Sequence, residues 1–565
     1  MAKTRLIQSN MTSGTLAPTL NARIDLETYY NGLQQAENVI ILPHGGVRRR
    51  PGLSKITDGT ISGTVARIEP FVFSSTQTYL LLFRVNAIDI FKDGVLQSTE
   101  VTTYSTEAII KDLDVIQSAD TVIITHEDFL PSQLQRQGSD TAWGFSTITL
   151  TNIPTFDFGA GAEPVWSVSR GYPRTCTFHG GRLWFGGSKS KINSVWGSVS
   201  NDFFNFNVGT GLPDEAIFDT LDTDQFNQIN GIFSGRNLQI FTAGGEFYNS
   251  SAPIIPEDSV WNRQTSYGSI RIRPISVDGS TLYVDASTRT IRSFLFSFNE
   301  DSYVSQNASL LSTHIINDVQ AMSTIRGTVA DVSDFIYIVN GDGTVAVKNT
   351  LRLENIAGWT NFTTQGNFKD IAVVGKEVYF IVERNGTYFI ELLKEDTYTD
   401  HNVTYSGTAT TTITTDFDDT IASETFRVIA EGSIQPNQIP TSDGVNLNHI
   451  DIRETTQAEV GLDYTVTVET MPLNASTNEG QIVNLRKRVL RVIIHMYESL
   501  GVQVGGAYLG SRTFPVLLDS QATPFSGIKE IYTLGFVDRL ATVVVSQADP
   551  LPFTLLSIDT EIEGG

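Results

Sequence analysis

The chain has 565 residues, 39 basic against 62 acidic, and a formal net charge of −23. Such an acid excess argues against a broad phosphate-binding face. A single cysteine, Cys176, excludes an intrachain disulfide and a cysteine-rich zinc site. The 18% charged fraction lies below the usual value of about 25%. The polar surface must therefore be Thr, Ser, Asn and Gln, which with 46 glycines suit strands and tight turns. The fold class this predicts is all-β.

The first residues, MAKTRLIQSNMTSG, contain no apolar segment of the kind that marks a signal peptide. RIDLETYYNGLQQAENVI (23–40) repeats Leu26, Tyr29, Tyr30, Leu33 and Ala36 at three- and four-residue steps, which predicts one amphipathic helix with Asp25 as its cap. HGGVRRRPGL follows, with Arg48, Arg49 and Arg50 in a row.

Seven apolar cores then recur: YLLLF from Tyr79, TVIITH from Thr121, RLWFGG from Arg182, NLQIFTA from Asn237, TLYVDAS from Thr281, FIYIVNG from Phe335 and EVYFIVE from Glu377. Their starts lie roughly 42 to 61 residues apart, within and slightly above the range of four-stranded propeller blades. Asp93-Gly94, Gly180-Gly181, Asp278-Gly279 and Asn385-Gly386 supply hairpin turns beside them. The reading is a β-propeller-like region of six or seven blades over 61–395, with an irregular β-sandwich as the alternative. Residues 396–458, Thr-rich and acidic, read as a linker or exposed hairpin insert. YTVTVET, RVLRVIIHMY, ATVVVSQ and PFTLLSIDTEIE give a C-terminal β-sandwich-like domain over 459–565, packing with the N-terminal segment 1–60. No apolar run is long enough for a membrane span, so no membrane insertion is expected.

Chemistry finds little to stand on. LPDEAIFDTLDTDQ holds Asp214, Glu215, Asp219, Asp222 and Asp224, but without a calcium-loop pattern it reads as a solvated loop. The seven histidines are scattered, SVDGSTLY (276–283) fails as a sialidase Asp box, and no tryptophan is followed by Asp. NGDGT (340–344) reads as a hairpin turn. Phosphate-loop and nucleophile-elbow motifs are absent. The chain is read as a non-enzyme with no catalytic residue, metal ligand or cofactor. Two basic clusters, Arg48–Arg50 and Arg486, Lys487, Arg488 and Arg491, read as ion-pairing contacts within the chain or between subunits.

Several stretches together resemble the tail nozzle proteins of short-tailed bacteriophages, also called tail tubular protein B. They are NMTSGTLAPTLNARIDLETYYNGLQQAENVIILPHGGVRRRPGL, IEPFVFSSTQTYLLLF, QSADTVIITHEDFLPSQLQR, GYPRTCTFHGGRLWFGGS, VWGSVSNDFFNF, RQTSYGSIRIRP, the run from Arg292 to Tyr303 and PLPFTLLSIDTEIE. The likeness spans most of the chain except 396–458. It implies a hexameric virion protein, made in the host cytoplasm and built into the tail as a distal tube below an adaptor ring. Its implied partners are further copies of itself, that adaptor ring, tail fibres or spikes, and double-stranded DNA passing without specific binding. The basic clusters would then serve platform or intersubunit contacts. A glycan-binding or glycan-cleaving propeller, with Asp222 or Asp224 acting, is the alternative.

Overall fold

The computed structural model describes residues 2–61, 67–223, 225–326, 334–350, 358–414, 424–439, 441–442, 448–477, 480–482, 486–510, 522–532 and 538–564. Among the described residues, the regular secondary structure is nearly all strand. Its centre is a ring of seven four-stranded antiparallel units, a β-propeller. Five stand alone as four-stranded sheets, and two are the four-strand starts of larger sheets.

In chain order the innermost strands of blades one to seven are Arg67–Ser74, Asp114–Ser118, Thr175–His179, Ile229–Ser234, Ile275–Val277, Val319–Ile325 and Asn367–Val374. Each of the seven apolar cores is the second strand of its blade. That position explains why those cores are continuous runs and not alternating patterns. A second strand is covered on both faces, so both sets of side chains are apolar. In blade one, Tyr79, Leu81 and Phe83 pack with Val122, Ile124 and Leu134 of blade two. Leu80 and Leu82 pack the other way, with Val374, Tyr379 and Ile381 of blade seven. The ring is therefore closed by side chains as well as by backbone.

Backbone closure comes from before blade one. The strand Gly52–Ile61 pairs antiparallel with Thr387–Lys394 as the outermost strand of blade seven, with Leu53 opposite Leu393 and Ile61 opposite Tyr388. The propeller therefore includes residues that the sequence reading had left in the N-terminal segment.

Both ends of the chain build the platform. One sheet contains Val39–Ile41, Val47–Arg49, Thr554–Gly564, Lys487–Ser499 and Phe525–Tyr532, with Ala2–Gln8 also paired to Thr554–Gly564. The other continues from blade six through Trp359–Phe362 to Gly14–Thr15, Gly32–Glu37, Val466–Thr470, Val544–Gln547, Gln503–Val504 and Ala507–Tyr508. Val39, Val47, Val468, Val492, Ile494, Val545 and Ile558 are among the buried residues between the two sheets.

One segment departs from the sequence reading. Helix in 23–40 is limited to one turn, Glu27–Tyr30, capped by no side chain; Asp25 instead pairs with Arg23 at 2.8 Å. Beyond it lie the strands Gly32–Glu37 and Val39–Ile41. A bulge between Leu33 and Gln35 inserts one residue, so the core-facing Leu33 and Ala36 stand three apart instead of two. That spacing imitated a helix. A second helical turn, Glu107–Lys111, has no counterpart in the sequence reading.

The Thr-rich segment is a strand, Asp400–Thr414, paired antiparallel along much of its length with Asn448–Leu462. Threonine is β-branched and suits a pleated surface, so a Thr-rich run holds a strand without large apolar residues. Residues 415–423 lie outside the described residues. Among the described residues, no helix is long and apolar enough to cross a membrane.

Candidate functional site

The first basic cluster lies where the chain crosses from platform to propeller. Arg48 stays half exposed and pairs with Glu395 at 3.3 Å. Arg49 and Arg50 are buried. Among the described residues Arg49 reaches no carboxylate; it donates to Gln547 Oε1 at 2.8 Å and to the carbonyls of Tyr464 (2.9 Å), Tyr398 (3.1 Å) and Asp549 (3.2 Å). Arg50 grips Asp400 with both Nη atoms, at 2.8 and 2.7 Å, and donates Nε to Asn38 Oδ1 at 2.9 Å. Tyr464 lies against both guanidinium groups, 4.1 and 3.7 Å from its ring centre, and donates its hydroxyl to the carbonyl of Arg50. The backbone then enters blade seven at Gly52, where a Cβ would stand 2.1 Å from the carbonyl oxygen of Thr399. Any side chain there would push the closing strand off its neighbour.

A buried chain of polar contacts runs on from Asp400. Its Oδ2 accepts from Thr364 Oγ1 at 2.6 Å, and Thr364 Oγ1 accepts from Arg384 at 3.1 Å. Arg384 forks onto both oxygens of Glu391 at 2.8 Å, and His401 Nδ1 lies 2.6 Å from Glu391 Oε1. Burial pushes the Glu391 carboxyl up, but the adjoining Arg384 guanidinium outweighs it and holds the group at about 2. Burial pushes His401 below the ordinary imidazole value. Bidentate, hydrogen-bonded pairs of this kind hold position; breaking one leaves an uncompensated buried charge.

The second cluster is scattered. Arg486 is exposed, while Lys487 is buried with Nζ 2.7 Å from Asn474 Oδ1, and burial lowers its pKa. Arg488 stands opposite Glu563 in register, its Nε buried without a hydrogen-bond partner among the described residues. Arg491 pairs with Glu530 at 3.2 Å and Glu561 at 3.0 Å on the outer face of the platform. Arg49, Arg50 and Lys487 are thus engaged inside one chain and are not available to a neighbouring subunit.

The acidic loop does not converge on a site. Glu215 Oε2 accepts the amides of Thr210, Gly211 and Leu212, each at 2.7 Å, and so closes its own loop. Asp219 accepts from Trp261 Nε1 at 3.2 Å, and Asp222 is exposed. Asp224 lies outside the described residues. In the turn at 340–344, Asp342 accepts from the amide and hydroxyl of Thr344.

At the centre of the ring lies a cavity of about 380 Å³, lined by the inner strands and the segment 270–274. Polar side chains stitch the blades around it. Asp370 of blade seven accepts the amide of Ile68 of blade one at 2.7 Å. Arg67 donates to the Leu113 carbonyl, and Asp114 of blade two accepts the amide of Cys176 of blade three at 2.9 Å. Arg273 reaches Asp114 at 2.9 Å. Burial pushes Asp370 up to about 7. Sequence reasoning had attached no role to these residues, or to Asp400, Glu391 and Tyr464; Arg271 and Arg273 lay inside the RQTSYGSIRIRP stretch.

No protein-family model and no curated protein matches this chain. Among solved structures, it is similar to U3-55K at 9% identity and a TM-score of 0.38, covering 61% of this chain and 99% of that one. It is also similar to the Pan2 WD40 domain of Neurospora crassa, at 11% identity and a TM-score of 0.34, covering 61% of this chain and 90% of that domain.

Proposed function

We propose that this chain is a structural virion protein of a short-tailed phage, forming the distal tail tube as a ring of copies that retains the genome and lets it pass during ejection. The reading rests on the resemblance of its sequence to tail nozzle proteins. The observation that carries it furthest in the structure is a propeller tied to a platform that both ends of the chain build. The axial cavity measures about 380 Å³ and is lined by all seven inner strands, with Arg273 reaching Asp114 at 2.9 Å beside it, so this reading puts the conduit between copies, six in the hexamer it takes, and not through a single propeller.

Charge supports passage. Six times −23 is −138 formal charges per ring. Beyond about 8–10 Å such charges are largely screened at physiological salt, so acidic walls neither grip nor strongly repel DNA. A basic bore would bind phosphates and stall sliding. The adaptor ring and fibres would meet the outer surfaces of the assembly.

Electron microscopy of the purified protein tests this directly. Rings with a central bore of duplex width are expected, together with no duplex retention in a gel shift at moderate salt. A monomer without a bore, or turnover of host polysaccharide lost on Asp222→Ala, would replace this reading with the glycan-active one.

A further inference from the structure

We propose that the axial cavity of the propeller binds a small oxyanion, a phosphate or carboxylate group on a molecule that fits within about 380 Å³. Five cationic side chains line it from different parts of the ring: Arg67 of blade one, Lys111 at the end of the short helix, Arg271 and Arg273 before blade five, and Lys369 of blade seven. Three carboxylates, Glu69, Asp114 and Asp370, line it with them. The lining therefore has an excess of two positive charges inside a chain of −23.

The carboxylates are also turned toward the protein. Asp370 accepts the amides of Ile68 and Ile371 at 2.7 and 2.9 Å, and burial favours its neutral form. Asp114 Oδ2 accepts from the Thr175 hydroxyl and the Cys176 amide. Arg67 is held by Glu69 and contributes field and no free donor. Arg271 lies 3.1 Å from Asp112 and donates Nη2 to the Arg174 carbonyl, but its buried Nε and Nη1 have no hydrogen-bond partner among the described residues. Arg273 is also partly uncommitted. It commits only Nη1, to Asp114 and the Val115 carbonyl, leaving Nε and Nη2 without a partner among the described residues. Lys111 and Lys369 are paired with Glu107 and Glu383, which are not among the lining residues, in partly exposed pairs of the kind an incoming anion can displace. A guanidinium fork and two ammonium groups lining one cavity supply the donors a phosphate or carboxylate takes.

The test is independent of the conduit reading, because it asks nothing of the assembly. Calorimetric titration of the full chain with inorganic phosphate, and separately with citrate, is expected to show saturable one-to-one binding of at least one of them, against chloride at equal ionic strength. Arg273→Ala should weaken it at least tenfold and Lys369→Ala severalfold, whereas Asp370→Asn should tighten it. If Arg273→Ala does not fold, as judged by circular dichroism, the partly exposed Lys369→Ala decides in its place. Absence of saturable binding of both anions, or affinities unchanged in the folded variants, overturns the proposal.

Discussion

The two basic clusters are nearly alike as text, yet Arg50 of the first and Arg491 of the second end in opposite surroundings. RRRPG at 48–52 places Arg49 and Arg50 at the crossing of platform and propeller, with Arg50 bound to Asp400 and Tyr464 some 350 and 414 residues away. RKRVLR at 486–491 instead opens a long platform strand, and Arg491 ends in two partly exposed pairs. What separates them is the following residues. Pro51 and Gly52 end one strand and redirect the chain under its neighbours, so the arginines are enclosed. Val492, Ile494 and Met496 turn inward, which leaves Arg491 on the opposite, outer face. Charge density alone says nothing about burial.

The sharpest way to break this comparison is to remove the strand Gly52–Ile61. A chain lacking it should leave blade seven one strand short and lose the cooperative unfolding of the whole, followed by tryptophan fluorescence. Next, Arg50→Ala leaves Asp400 buried without its partner and should destabilise by about 3–5 kcal/mol in urea unfolding. Arg50→Lys should recover little of this, because an ammonium lacks the planar fork. If Arg50→Ala behaved like a surface change, the clamp would hold nothing.

A smaller effect depends on pH. Asp370 has a folded pKa raised to about 7 against 3.8 unfolded, so its contribution is present at low pH and is lost as pH rises through 7. Asp370→Asn imitates the protonated form and should gain stability relative to the parent between pH 5 and 8. A constant difference in melting temperature across that range would refute this. Glu391 works the other way. Its pKa is lowered to about 2 from 4.5, so its contribution is present above 4.5 and is lost as pH falls toward 2. The smallest effect sharpens the contrast: Arg491→Ala should cost no more than about 1 kcal/mol, and less at high salt, when measured beside Arg50→Ala.

What could be read from sequence follows from the same physics. The seven cores were legible because a strand covered on both faces writes its burial as an unbroken apolar run, with turns such as Asp93-Gly94 beside them at positive φ. The strand Gly32–Glu37 was not legible, because a single bulge turned its two-residue period into a three-residue one. For Asp400–Thr414 the sequence left a linker and an exposed hairpin open, because it lacks large apolar residues and its pairing with Asn448–Leu462, not side-chain size, defines it. Asp400 and Tyr464 lie 350 and 414 residues from Arg50, and Arg67, Arg271 and Lys369 meet at one axis from distant parts of the chain, so no local pattern records these contacts.

The closing strand also sets a clock on synthesis. Residues 52–61 leave the ribosome long before 387–394, the strand they must meet. At about 5–20 residues per second the wait is roughly twenty to seventy seconds, with an unpaired edge exposed throughout. A nascent chain of this protein cannot complete its ring piece by piece. It must keep its early strand soluble until the seventh blade arrives, so any stall before that point releases an open ring prone to pair with the wrong neighbour.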